Sequence, residues 1–435
     1  MHILREYAAT GAFYNSNELY DALKCHPHTR VAVLNDIMQW VAKSGSKQDD
    51  FMLWLFGPAG TGKSAIAKRI AELAEEKGLL IATFFFSRTS PPRKTEDRLV
   101  ATLAYQMALS IPHTRSHIEY SIEQDPAIFD KNIHTQLDTL LIKPLSLSKS
   151  NRIFPSQKLI IIDGLDECEN SQAQVAILDT ISRSFHQYSL SIIFLITSRP
   201  EKHISIAFNT NKPLQSIHRR VALDAEYQSN SDIRLFLSER FEHIKHTHPL
   251  RASIPVSWPT ADSLNRLVHK SSGQFIYAAT VIKFVESIRH RPTTRLDIVL
   301  GISPAGSGEN PFTQLDAVYH GILSSVANIT LTLRVLSVYI IDPPISAYLD
   351  ASDIEQFLSL GEGDIELALV DLPSIVSYET GVAATSHASL VDFLLDRRRS
   401  TIFHIDMAVR NSDLAHCMFQ TYKQGADFVS RHRRK

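Results

Sequence analysis

One eight-residue run, Gly57-Pro-Ala-Gly-Thr-Gly-Lys-Ser64, constrains this chain more than any other feature. It fits GxxxxGK[ST], and its context is the required one. Before it, Phe51-Met-Leu-Trp-Leu-Phe56 is a continuous apolar stretch of the kind that forms a strand buried on both faces. After it, Ile66, Ile70 and Leu73 share one face of a helix pattern from Lys63 to Lys77, with Gly78 placed to end it. Such a turn aims backbone N–H groups at phosphate oxygens, and the helix adds the positive end of its dipole. Lys63 would reach the β- and γ-phosphates, and the Ser64 hydroxyl would ligate Mg²⁺. Gly57, Pro58, Ala59, Gly60, Thr61, Gly62, Lys63, Ser64 and Ala65 are therefore assigned to nucleotide binding.

Two more apolar strands end in chemistry. Leu159-Ile-Ile-Ile-Asp163 delivers a carboxylate at its C-terminal end, where α/β sheets bind ligands. Asp163 is placed to hold the Mg²⁺ hydration shell, because Mg²⁺ keeps several of its waters. Asp166 or Glu167, in the loop that follows, would orient or activate an attacking water. Ser191-Ile-Ile-Phe-Leu-Ile-Thr-Ser-Arg199-Pro200 ends in an arginine suited to bidentate reading of the γ-phosphate.

Around these motifs, strand and helix patterns alternate: strands at 51–56, 80–87, 158–163, 191–197 and 216–223, helices at 95–109 and 171–187. Alternation of this kind implies a parallel sheet with right-handed crossovers. A helix is also read at 31–41. Helical spacing then takes over at 230–246, 260–271 and 274–289, and resumes at 313–328 and 331–341 after a Gly/Pro/Ser-rich linker at 301–311. Shorter mixed elements fill 343–400, and 405–429 reads as one helix.

Composition sets the class. Lys and Arg total 45 against 46 Asp and Glu, so the net charge of −1 gives no overall basic footprint and argues against nucleic acid as a partner. Cys25, Cys168 and Cys417 are scattered and form no CxxC, which favours a reducing, cytoplasmic setting over a disulfide framework. No apolar run approaches the ~18 residues of a membrane span. The opening residues lack the apolar core of a secretory signal. His243, His246 and His248 come without an HExxH pattern, and Arg397–Arg399 and Arg431–Lys435 read as solvated charge. Cys168 reads as a small apolar residue. Arg88, just past the second strand, could approach the phosphates or form a structural ion pair.

In this order and spacing, GPAGTGKS, LIIIDGLDE and ITSRP resemble the NACHT domain of STAND-class P-loop NTPases. More narrowly, the chain resembles the NACHT module of fungal NOD-like receptors, of the nephrocystin-3-like N-terminal type. KCHPHTRVAVLNDIMQW, ATFFFSR, KSSGQFIYAATVIKFV, RLDIVLGISP and HASLVDFLLD add to the likeness, which covers roughly residues 20–420. Its DGLDE form, with a small residue after the first aspartate and then two acids, is the NACHT pattern.

The resemblance implies an α/β P-loop sheet of the AAA/STAND kind followed by helical and winged-helix domains. Residues 1–50 would be a lead-in helix and adenine-side segment, 51–225 the nucleotide-binding domain and 226–300 a helical domain. A winged-helix region would follow at 301–404, then a C-terminal helix and basic tail at 405–435. Thr29, Arg30 and Val31 would lie by the adenine, held through backbone contacts. Arg199 would be the sensor of the γ-phosphate, Asp166 and Glu167 the hydrolysis acids, and His387 a contact to the ADP β-phosphate.

The implied function is a signalling switch with slow ATP or GTP hydrolysis and Mg²⁺ as cofactor, closed with ADP and open or oligomeric with ATP. Its partners would be further copies or related NACHT proteins, in innate-immunity or incompatibility signalling. The alternative is a non-hydrolysing nucleotide-binding scaffold, or a truncated regulator of full-length relatives, because neither an effector domain nor a repeat array is read in these residues.

Overall fold

The computed structural model describes residues 1–19, 25–43, 50–88, 90–148, 157–188, 192–223, 229–271, 273–288, 290–301, 312–324, 326–341, 351–372, 375–379, 382–385 and 388–413. Two compact units emerge: Met1–Gly57 with Thr61–Asp232, and Pro58–Gly60 with Ile233–Lys435.

The first unit is built on five parallel strands: β1 (Met52–Phe56), β2 (Leu80–Phe85), β3 (Lys158–Asp163), β4 (Ile192–Ser198) and β5 (His218–Ala222). Their order is β2-β3-β4-β1-β5. The strand bearing Asp163 is therefore separated from the strand that leads into the glycine-rich turn by β4, whose end carries Arg199.

Alternation along the strands sorts side chains into two buried layers. Met52, Trp54, Ile160, Ile162, Phe194 and Ile196 face one way. They pack with Leu99, Leu103 and Met107 of the helix Leu99–Ser110, Ile177 and Ile181 of the helix Ser171–Gln187, and Phe208 of the helix Lys202–Thr210. Leu53, Leu55, Leu159, Ile161, Ile193 and Leu195 face the other way, onto Ile37 and Trp40 of the helix Val31–Ala42 and Ile66 and Ile70 of the helix Lys63–Glu76. Strands buried on both faces must be apolar at every position, which is why they read as continuous runs rather than alternating ones.

β2 is an edge strand, and side chains satisfy three of its open backbone groups. Gln106 Oε1 accepts from the Thr83 N–H at 3.1 Å, while its Nε2 donates to the Thr83 carbonyl at 2.8 Å. The Ser110 hydroxyl donates to the Ile81 carbonyl at 2.9 Å, and the Tyr14 N–H donates to Thr83 Oγ1 at 3.0 Å. This blunts an edge that would otherwise offer itself to another strand. The first residues take part: Leu4, Ala9 and Ala12 belong to the same core as the sheet, and Ala9 N–H donates to Thr102 Oγ1 at 2.8 Å.

Several elements differ from the sequence expectation. The helix expected at 95–109 starts at Leu99, after a 3₁₀ turn at Glu96–Arg98. The helix expected to end at Gly78 has Lys77 as its C-cap, and Gly78 follows with φ +63°, its N–H on the Glu75 carbonyl. Between Ser110 and β3 lie helices that the periodicity did not reveal: Pro112–Gln124, Ile133–Leu137 and Lys143–Ser148, with a π-helical turn at Asp138–Ile142. The first buries only Thr114, Ile118 and Ile122, a stripe too thin to stand out. The π turn shifts the register that a 3.6-residue period assumes.

Among the described residues the second unit is helical apart from an antiparallel pair of β6 (Val376–Glu379) and β7 (Val382–Thr385). Its helices include Ser229–Thr247, Ala261–Ser271, Phe275–Val285, Thr313–Ser324, Ile329–Ile341 and Ala388–Leu395. They share one core through Phe241, Tyr277, Val281, Tyr319, Leu336 and Phe393. The helix expected over 274–289 stops at Val285.

The arginine run 397–399 is not a uniformly solvated face. Arg399 is largely buried, pairs with Asp316 at 2.7 Å and lies over Phe312. The linker at 302–311, the stretch 342–350, Ser386 and His387, and everything from 414 onward, including Cys417 and the basic end, lie outside the described residues. Helix is assigned from 407 to 413 within the expected 405–429.

Candidate functional site

β1 ends at Phe56, and the chain turns through Gly57–Gly62 into the helix Lys63–Glu76. Gly62 caps that helix with φ +88°, a conformation that costs little only without a Cβ. No side chain caps the helix, so its first N–H groups face the turn, as an anion-binding terminus requires. Lys63 Nζ donates to the Gly57 carbonyl at 2.8 Å, folding over the loop. Burial pushes its ammonium down to about 8; the carboxylates of Asp166, Asp163 and Glu167 oppose that fall, and Arg199 adds to it.

Asp163, at the end of β3, is buried and lies beside β4, where Thr197 Oγ1 donates to its Oδ1 at 2.5 Å. The same hydroxyl accepts the Gly164 N–H at 2.9 Å, fixing the turn into the acidic loop. Gly164 makes that turn at φ +69°. Burial raises the Asp163 carboxyl to about 7, against the pull of hydrogen bonds from Thr197 and Ser64. The Ser64 hydroxyl, in the first turn of the helix, and the acid of β3 therefore meet.

Leu165–Glu167 is a 3₁₀ turn, closed by Glu167 N–H on the Gly164 carbonyl at 2.7 Å. Its two acids have different surroundings. Asp166 is buried; its Oδ1 accepts the Arg199 N–H at 2.9 Å and its Oδ2 lies 3.2 Å from Arg199 Nε. Glu167 is half-buried and makes neither contact. Burial, then the neighbouring Asp166 charge, raise its carboxyl above the usual range, while Arg199 and Arg88 pull it back. Arg88 donates from Nη2 to the Asp166 carbonyl at 2.9 Å, and its N–H lies 3.3 Å from Glu167 Oε2. It thus meets the acidic loop, making no carboxylate ion pair among the described residues.

The segment expected beside the adenine reaches the glycine-rich turn. Arg30 sits at φ +60° as the N-cap of the helix Val31–Ala42, and its guanidinium is buried. Nη2 donates to the Thr61 carbonyl at 2.7 Å, so this side chain reaches the glycine-rich turn itself. Its N–H donates to Asp232 at 3.0 Å, and the Thr29 N–H to the His26 carbonyl at 3.1 Å. Val31 begins the helix and is exposed. His387 lies outside the described residues.

Lys63, Ser64, Asp163, Asp166, Glu167 and Arg199 are thus gathered at the C-terminal ends of β1, β3 and β4, all within the first unit. Sequence reasoning missed Thr197. Its signal was a hydroxyl residue that, with Ser198, ends an apolar run two residues before Arg199.

Among the described residues no group of three or more His, Cys, Asp or Glu is arranged to hold a metal. The donors that do meet, a Ser hydroxyl and one carboxylate, fit Mg²⁺, which takes few protein oxygens and completes its shell with water and phosphate. No helix among the described residues is long and apolar enough to cross a membrane.

This is a P-loop fold: a parallel sheet whose β1 runs through the glycine-rich turn into a helix. Residues 30–199 match the nephrocystin 3 N-terminal family model. The nephrocystin-3-like segment begins at the arginine that grips the Thr61 carbonyl and ends at the arginine that Asp166 holds. No curated protein sequence matches the chain.

Among solved structures, similarity extends to the ORC1 protein of Aeropyrum pernix in complex with DNA, at 14% identity over 86% of this chain and 93% of that one, TM-score 0.40. The ORC of Drosophila bound to DNA is 11% identical over 80% and 81%, TM-score 0.39. Cdc6p from Pyrobaculum aerophilum is 12% identical over 90% and 95%, TM-score 0.32.

Proposed function

We propose that this chain is a nucleotide-operated switch that binds ATP (or GTP) with Mg²⁺, hydrolyses it slowly to the diphosphate, and belongs with the NACHT modules of STAND-class signalling NTPases. The observation that carries the reading is the meeting of Lys63, Ser64, Asp163 and the Asp166–Glu167 loop with Arg199 at one edge of the sheet.

In this reading the loop N–H groups and Lys63 bind the phosphates, and Ser64 and Asp163 hold Mg²⁺. Mg²⁺ held by these two side chains would supply charge neutralisation for the phosphates. Glu167 is the base. It takes the proton of a water whose oxygen bonds to the γ-phosphorus as the bond to the β–γ bridging oxygen breaks, leaving the diphosphate. Asp166 does not take that proton; it positions Arg199, whose guanidinium reads the γ-phosphate. Thr29, Arg30 and Val31 line the base side.

Triphosphate and diphosphate differ by the group that Arg199 reads, so each can favour a different conformation, closed with ADP and open or oligomeric with ATP. Sedimentation and limited proteolysis of the purified chain with ADP and with a non-hydrolysable ATP analogue test this. Different sizes or cleavage patterns are expected; identical ones overturn the switch. Bound nucleotide without turnover would make the chain a non-hydrolysing scaffold.

A further inference from the structure

We propose that Arg88 is a positioning residue for the hydrolytic carboxylate, holding from its guanidinium the loop that carries Glu167. The inference rests on the triphosphatase reading above, and it gives a role to an arginine that the phosphate-binding motifs do not include.

The chain beyond β2 runs alongside the acidic loop. Phe86 N–H donates to the Asp163 carbonyl at 2.9 Å, and Ser87 N–H to the Arg93 carbonyl at 3.0 Å, so the backbone leading to Arg88 is pinned on both sides. From there the guanidinium bonds the Asp166 carbonyl, and the Arg88 N–H faces Glu167 Oε2. The side chain thus holds the loop at the Asp166 carbonyl and places its charge beside Glu167, while the contact to the Glu167 carboxylate comes from the backbone N–H, which any variant at 88 keeps. The opposite end of the loop is pinned by Thr197 on Gly164 and by Arg199 on Asp166. Arg88 supplies the third point, on the side where Glu167 is half-exposed.

The charged groups around Glu167 are Asp166 and Asp163, which disfavour its ionised form, and Arg199, Arg88 and Lys63, which favour it. Arg199 and Lys63 are committed to the phosphates in the proposed mechanism. Arg88 is the remaining cation in this set, so its removal acts on Glu167 rather than on nucleotide binding.

The test compares Arg88→Gln and Arg88→Lys with the wild-type chain, measuring nucleotide affinity and single-turnover hydrolysis across pH. Arg88→Gln is expected to slow hydrolysis roughly tenfold or more, with affinity nearly unchanged. It is also expected to move the acid limb of the rate profile to higher pH, because losing a cation raises the pH at which Glu167 ionises. Arg88→Lys, which keeps the charge, should leave the limb in place and recover part of the rate. Three results overturn the inference while leaving the triphosphatase intact: an unchanged rate, a loss of affinity instead of rate, or an equal loss at every pH in both variants. A wild-type chain that binds nucleotide but never hydrolyses it overturns the parent reading as well.

Discussion

The Asp166 carboxylate grips Arg199 at two points, the backbone N–H at 2.9 Å and the side-chain Nε at 3.2 Å, with both groups largely shielded from water. Its Oδ1 is hydrogen-bonded, while Oδ2 meets Nε as an ion pair without a hydrogen bond. The adjacent Glu167 has no such partner and lies where burial has already made it more basic. In the proposed reading the two acids of one turn divide the work. Asp166→Ala should leave the Arg199 charge uncompensated and destabilise the fold by about 3–5 kcal/mol, the scale for breaking a buried pair. Glu167→Gln should leave the melting temperature nearly unchanged and slow hydrolysis by about 10²–10⁴-fold. Thermal unfolding beside turnover of the two variants checks this; equal destabilisation by both would contradict the division.

Lys63 lies over its own loop and gives up part of its hydration to do so. Lys63→Ala should abolish nucleotide retention while the sheet stays folded, since the strands are held by the apolar layers on either side. Equilibrium binding of a fluorescent ATP analogue, with circular dichroism as the control for folding, reads both. Undiminished affinity would remove the lysine from the phosphate site.

Asp163 gives the free chain a pH dependence. Its carboxyl is raised to about 7 in the folded chain, against about 3.9 in an unfolded one. Between those values the folded chain holds a proton that the unfolded chain has released, so folding is favoured by acid across that window and stability falls as pH rises through it. The loss is complete above about 7. In nucleotide- and Mg²⁺-free buffer, denaturant midpoints at about pH 5 and about pH 8 should therefore fall more for the wild type than for Asp163→Asn. A constant difference between the two would show that the carboxyl is not raised.

Gln106 guards the edge of the sheet by pairing with both backbone groups of Thr83. Gln106→Ala should cost about 1–3 kcal/mol, the penalty for unpaired backbone groups. It should also increase self-association, because the freed β2 edge can accept another strand. Chemical denaturation and light scattering measure the two effects; unchanged stability would show that water replaces the side chain without loss.

The strands that position the site were legible because each is an apolar run ending in a polar residue: Phe56 before the glycines, Ile162 before Asp163, Ile196 before Thr197 and Arg199. Periodicity is least ambiguous for strands buried on both faces. The helices between Ser110 and β3 were not legible, because the helix Pro112–Gln124 buries a single thin stripe and the π turn breaks the period that follows. Local sequence also could not place partners that only the fold brings together. Arg88 reaches a loop 78 residues away, and Arg30 reaches Thr61 across 31. Arg399 looked like part of a solvated run until Asp316, on a separate helix, supplied its buried partner.

The most direct test of the account is the identity of the nucleotide that leaves the protein on denaturation. Wild-type chain and Glu167→Gln, each incubated with Mg²⁺ and ATP and freed of excess, would be denatured and the released nucleotide separated by ion exchange. The account predicts ADP from the wild type and ATP from the variant. ATP from both, or no nucleotide from either, would contradict it.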